Sequence, residues 1–167
     1  MEFEDRQRFA ASRKQLLGAI CDPAFLQRKL ALQGAWGIEF LAHETGGGRS
    51  LLKCRYHRPA DARIPAFARK FVAERVEVTQ CEEWNLKSGA GVLHVEVRNL
   101  PLRIGARMRL QPDDGGCANV LSWSLHCPIP LIGGKLEKLA ADEMRVKFAQ
   151  DSEVARRLLA ERARCST

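Results

Sequence analysis

The sequence predicts an α+β fold in which a curved antiparallel sheet carries two short helices after its first strand and one long C-terminal helix packed across it. Three observations carry this expectation. From Ala35 to Cys127 apolar and polar residues alternate in runs separated by turn-forming glycines. Between the first strand and that region lie two short helical stripes, and after Pro128 and Pro130 a single helical pattern extends over about 134–162.

Residues 2–10, EFEDRQRFA, have no helical stripe and read as a strand ending before Ser12, a good N-cap for RKQLLGAIC. Asp22 and Pro23 restart a helix, AFLQRKLALQ, whose Phe25, Leu26, Leu30 and Leu32 form its apolar side until Gly34 ends it. WGIEFLAH and SLLKCRYH alternate on either side of Gly46-Gly47-Gly48, which makes a hairpin with Leu52, Cys54 and Tyr56 on one face. Pro59 and Pro65 bracket a polar loop, and FARKFVAERVEVTQCEEWNL supplies one long bent strand or two short ones. GVLHVEVRNL, IGARMRLQP and CANVLSWSLHC then alternate in turn, the last two joined by Asp113-Asp114-Gly115-Gly116. Such one-sided alternation implies a meander with one buried and one wet face. The long helix spans on the order of 43 Å at about 1.5 Å per residue, and Leu136, Ala140, Met144, Phe148, Val154, Ala155, Leu158 and Leu159 fall on one arc. The meander's apolar face is the partner that arc requires.

A chain of 167 residues is most simply one domain, 1–167, with enough length for a sizeable core. Hydrophobic residues at 46% and charged residues at 28% place it among ordinary globular chains. The N-terminal stretch MEFEDRQRFAASRK mixes charges and lacks an apolar core, so neither a signal peptide nor a membrane span is expected, and a cytoplasmic location follows. Six scattered cysteines then read as free thiols. No C-x-x-C or H-x-x-x-H spacing occurs, so no metal site and no cofactor is expected. The net charge of +7 favours anionic partners in general, including weak contact with an anionic surface. Arginines spread from Arg6 to Arg164 and no RNP-like pattern argue against nucleic acid.

The stretches FAASRKQLLGAICDPAFLQRKLALQGA, IPAFARKFV, QCEEW, LQPDDGGC and above all IPLIGGKLE resemble a bacterial family of START-like domains with no agreed activity. That family lies within the SRPBCC superfamily of helix-grip folds, which also holds plant pollen allergens and lipid-transfer proteins. The resemblance covers nearly the whole chain and implies a sheet gripping the long helix around a cavity for an apolar ligand; it carries over no catalytic residues.

Gly133-Gly134 lacks the flanking residues of a phosphate loop, since Leu136 follows Lys135 and Ile129 stands where the earlier glycine belongs. Close backbone packing at the strand-to-helix joint is the better reading. Trp36, Phe40, Tyr56, Phe71, Trp84, Met108, Trp123, Met144 and Phe148 are large enough to fill a core or border a pocket. The candidate ligand-binding residues are Tyr56, Glu82, Trp84, Met108, Trp123, Met144, Phe148 and Asp151. Glu82 shares a strand face with Trp84, which makes it either a ligand-facing acid or, as the many arginines favour, a carboxylate at the rim or in an ion pair. Asp151 falls near the middle of the helix's apolar arc, with Lys147 close by. It either contacts ligand or, because the helix outruns the strands, is solvated beyond the sheet edge. Ser122, Ser124 and His126 on one strand face offer no oxyanion hole, so no hydrolytic triad is expected.

The leading expectation is a carrier or sensor of an apolar or amphipathic, lipid-like small molecule. A cyclase or hydratase using Glu82 or Asp151 as acid or base is the alternative. A third possibility is an interaction module whose basic surface docks an acidic protein or anionic membrane.

Overall fold

The computed structural model describes residues 1–60 and 74–165. Its elements run β1 (Glu2–Phe9), α1 (Arg13–Ile20), α2 (Pro23–Leu32), β2 (Trp36–Gly46), β3 (Arg49–Pro59), β4 (Arg75–Asn85), β5 (Ala90–Val97), β6 (Arg103–Asp113), β7 (Gly116–His126) and α3 (Gly133–Cys165). The expected order is observed, with α3 longer at both ends than 134–162. The stretch IPAFARKFV and Phe71 lie outside the described residues; of the long or divided strand expected there, β4 is the described part.

Local chemistry sets both short helices. Ser12 Oγ accepts from the Gln15 N–H at 3.2 Å while Gln15 Oε1 accepts from the Ser12 N–H at 2.9 Å, a reciprocal cap on α1. Asp22 Oδ1 accepts from the Ala24 N–H at 2.9 Å, and Pro23 opens α2 where no N–H is needed. The Asp22 carboxylate also meets Arg162 at 2.7 Å, tying the start of α2 to the end of α3.

The seven described strands form one antiparallel sheet in the order β1-β7-β6-β5-β4-β3-β2. Its inward residues are those the alternation assigns: Leu52, Cys54 and Tyr56 on β3, Ile104 to Leu110 at even positions on β6, and Leu121, Trp123 and Leu125 on β7 are all buried. The main core joins α1 and α3 to this face, and a smaller one joins Leu26 and Leu30 of α2 to β3 and β4. Leu136, Ala141, Ala155 and Leu158 carry the buried stripe of α3.

Two expectations need correction. Trp36 is 42% exposed and stacks on His57, with ring centroids 6.1 Å apart, instead of joining the core. Strand β2 shifts register twice, between Trp36 and Glu39 and between Phe40 and Ala42, and Gly37 takes a positive φ of 61°. Simple alternation therefore fails at that edge. The Gly133-Gly134 pair also divides in role. A Cβ on Gly133 would lie 2.5 Å from the Cys127 carbonyl oxygen, whereas one on Gly134 would meet nothing within 4 Å. The close approach of the strand-to-helix joint thus rests on Gly133 alone.

Candidate functional site

Helix α3 crosses the apolar face of the sheet without filling the space beneath it. A cavity of about 210 Å³ lies there, and Tyr56, Glu82, Trp84, Met108, Trp123, Met144, Phe148 and Asp151 all border it. A second, more apolar cavity of about 350 Å³ lies toward the N-terminal half of α3 and shares Arg58, Val97, Ile104, Glu143 and Met144 with the first. The two are neighbouring parts of one region under α3.

Strand register builds the wall. Trp84 on β4 faces Gly91 on β5, where an added Cβ would come within 2.8 Å of the indole ring. The missing side chain leaves room for the indole ring against β5, and its Nε1 donates to Glu82 Oε2 at 3.4 Å. Trp123 on β7 stands between Phe3, stacked at 6.1 Å, and Phe148 of α3, edge-on at 5.9 Å. Arg145 closes this group from outside, its guanidinium 4.7 Å from the Phe3 ring.

A polar cluster sits among these rings. Asp151 projects inward from α3 and is held by Lys29 of α2 at 2.9 Å, Gln33 at 3.0 Å and Gln7 of β1 at 3.3 Å. The solvated reading of Asp151 is overturned: Gln7 of β1 and Lys29 of α2 both reach it, so α3 is still covered by strand and helix at this level. Glu82 also points inward. Its partners are Gln80, donating at 3.0 Å, and the Trp84 indole, and no arginine pairs with it among the described residues, so the rim or arginine reading is corrected too. Tyr56 Oη donates to Gln80 Oε1 at 3.0 Å, which fixes the amide so that its nitrogen serves Glu82.

Charge follows from burial and pairing. Burial pushes the Glu82 carboxyl above its ordinary range, and the Lys29 charge and the Trp84 N–H only partly offset this. Asp151 feels a similar burial effect, but Lys29 and the amide donors outweigh it and hold the carboxyl below the usual carboxylate value. Burial alone would pull the Lys29 ammonium down; Asp151 and Glu82 together keep it above its ordinary value. Burial raises the Tyr56 phenol well above its usual range, so it remains a neutral donor. Two carboxylates of opposite tendency, one retaining and one giving up its proton readily, therefore flank the Lys29 ammonium.

The sequence reading missed Lys29, Gln33, Gln7, Gln80 and Asn119. The signal for three of them is periodic. Lys29 follows Phe25 by one helical turn, Gln7 alternates with Phe9, and Gln80 lies between Val78 and Glu82 on the inward side of β4. Among the described residues no group of His, Cys, Asp or Glu is arranged to hold a metal ion, and no helix is long and apolar enough to cross a membrane.

Comparison with known proteins places this frame. A family model described as "Protein of unknown function (DUF2505)" matches residues 4–159. Among solved structures, the protein TTHA0849 from Thermus thermophilus is similar with a TM-score of 0.68 at 18% identity, over 96% of this chain and 98% of that one. Ara h 8.0201 is similar with a TM-score of 0.66 at 12% identity, over 96% and 98% of the two chains. Dicamba monooxygenase bound to 3,6-dichlorosalicylic acid gives 0.56 at 14% identity, over 99% of this chain and 51% of that chain. Identities this low establish the fold alone, and that fold is the helix-grip arrangement. A search of curated proteins finds no match.

Proposed function

The chain belongs to the family described as protein of unknown function DUF2505, and on that footing we propose that it binds or carries an apolar or amphipathic small molecule between the sheet and α3. The observation that carries this reading is the unfilled space under α3, walled by Trp84, Met108, Trp123 and Phe148 and bearing a compact polar cluster at one side. Close packing is the rule in protein interiors, so space left beside so many large side chains calls for an explanation that ordinary core formation does not give. An apolar wall with a few placed polar groups suits a small ligand. The adjoining cavity of about 350 Å³ extends the room available to a longer one. A solved structure of similar fold holding 3,6-dichlorosalicylic acid further supports a small-molecule role.

Titration with the uncharged dye N-phenyl-1-naphthylamine tests the reading. A saturable, one-to-one rise in fluorescence is expected for the wild-type chain. Val95→Trp, which projects an indole from β5 into the cavity, should weaken it while the variant retains a cooperative thermal transition. No saturable binding, or binding that Val95→Trp leaves unchanged, would refute this site.

A further inference from the structure

We infer that this space selects an apolar ligand carrying a hydroxyl group, which the Asn119 carboxamide recognises; the inference rests on the ligand-binding role proposed above. Asn119 lies on β7 between Gln7 of β1 and Leu110 of β6 in register. It borders the cavity, is only 8% exposed, and its Oδ1 is buried without a hydrogen-bond partner among the described residues. Its polar neighbours are already engaged. Gln7 donates to Asp151, Gln80 joins Tyr56 to Glu82, and Trp84 donates to Glu82. The Trp123 indole N–H and Asp5 Oδ2 are also buried without hydrogen bonds but lie close to each other, and Arg58 Nε, which belongs to a cation, is likewise unpartnered among the described residues. Asn119 therefore offers the cavity a carboxamide that the protein itself leaves unused, and a buried polar atom of this kind is costly until something pairs with it.

A hydroxyl suits that carboxamide because it can donate to Oδ1 and accept from Nδ2. Among the residues bordering the space, Lys29 pairs with Asp151 and Lys147 with Glu143, so these groups are already engaged. A ligand that is mostly apolar and hydroxyl-bearing fits both the wall and the free carboxamide.

Two probes on one skeleton test this: naphthalene and 2-naphthol, each measured by equilibrium dialysis at neutral pH. The expected order is 2-naphthol about tenfold tighter than naphthalene, the gain from satisfying one buried polar group. Asn119→Leu should erase the preference for 2-naphthol and leave naphthalene bound. Because it removes an unpaired polar group, its thermal midpoint should match or exceed that of the wild type. Equal binding of naphthalene and 2-naphthol, or a naphthol preference that survives Asn119→Leu, would overturn the inference and leave the ligand-binding role standing. Binding of neither probe would overturn both. The wild-type comparison decides between these outcomes even where a variant fails to fold.

Discussion

Replacing Lys29 with Met keeps most of the aliphatic stem and removes the ammonium that serves both Asp151 and Glu82. In the wild type Asp151 has an ion pair at 2.9 Å and amide donors at 3.0 and 3.3 Å, and its side chain is 24% exposed. Removing one partner of a buried pair costs roughly 3–5 kcal/mol. The amides that remain and the partial exposure of Asp151 place this case at the lower end, about 3 kcal/mol at neutral pH. At roughly 2–4 °C per kcal/mol for a chain of this size, the melting midpoint should fall by about 6–12 °C. The pH dependence follows from the two shifts. Asp151 has a depressed folded pKa, so its stabilising contribution is complete above the ordinary carboxylate value and is lost as pH falls through the folded one. Lys29 has a raised folded pKa, so its contribution is complete below its ordinary value and is lost as pH rises through the folded one. The stability gap between wild type and Lys29→Met should therefore be widest near neutrality and narrow toward both extremes. Adding Asp151→Asn to Lys29→Met removes the stranded charge and should recover part of the loss. Urea unfolding across pH gives the gap directly. A Lys29→Met cost within about 0.5 kcal/mol at neutral pH, typical of a surface substitution, would refute the buried cluster.

Two other substitutions probe separate parts of the account. Glu82 has a raised folded pKa, so wild-type stability should drain as pH climbs from the ordinary glutamate value through the folded one. Glu82→Gln should abolish that decline, and an unchanged slope in urea midpoints between about pH 4 and pH 8 would show that Glu82 is not the group responsible. At the strand-to-helix joint, Gly133→Ala drives a Cβ to 2.5 Å from the Cys127 carbonyl oxygen and should cost about 1–3 kcal/mol. Gly134→Ala has open space within 4 Å and should be neutral or stabilising by up to about 1 kcal/mol. Equal effects in thermal melts would contradict the assignment of the close approach to Gly133.

The frame was legible because periodicity reports burial directly. Leu93, Val95 and Val97 face inward on β5 as their alternation requires, and the Ser12 and Asp22 caps lie where the helices begin. The same logic brings the aromatic wall together, since Tyr56, Trp84, Met108 and Trp123 occupy inward strand positions. What the sequence hides is coverage between elements distant in the chain. Nothing along α3 announces that α2 packs beside Asp151, so a helix longer than the strands suggested solvent there. Lys29 is concealed for a related reason, because a lysine on an apolar helix face commonly extends its ammonium to water, whereas here a carboxylate draws it inward. Asn119 lies between Ala118 and Val120 in a strand that alternation assigns only by face; its lack of a partner depends on what β1, β6 and α3 place around it. Trp36 was misplaced by a β-bulge that leaves no mark on composition.

Native mass spectrometry of the protein isolated from the cells that make it, with solvent extraction of the same sample, tests the ligand-binding account most directly. The expected result is a population one small molecule heavier than the polypeptide, and an extract containing a hydroxyl-bearing apolar compound absent from a matched blank. A single mass equal to the bare polypeptide, with an extract matching the blank, would contradict it.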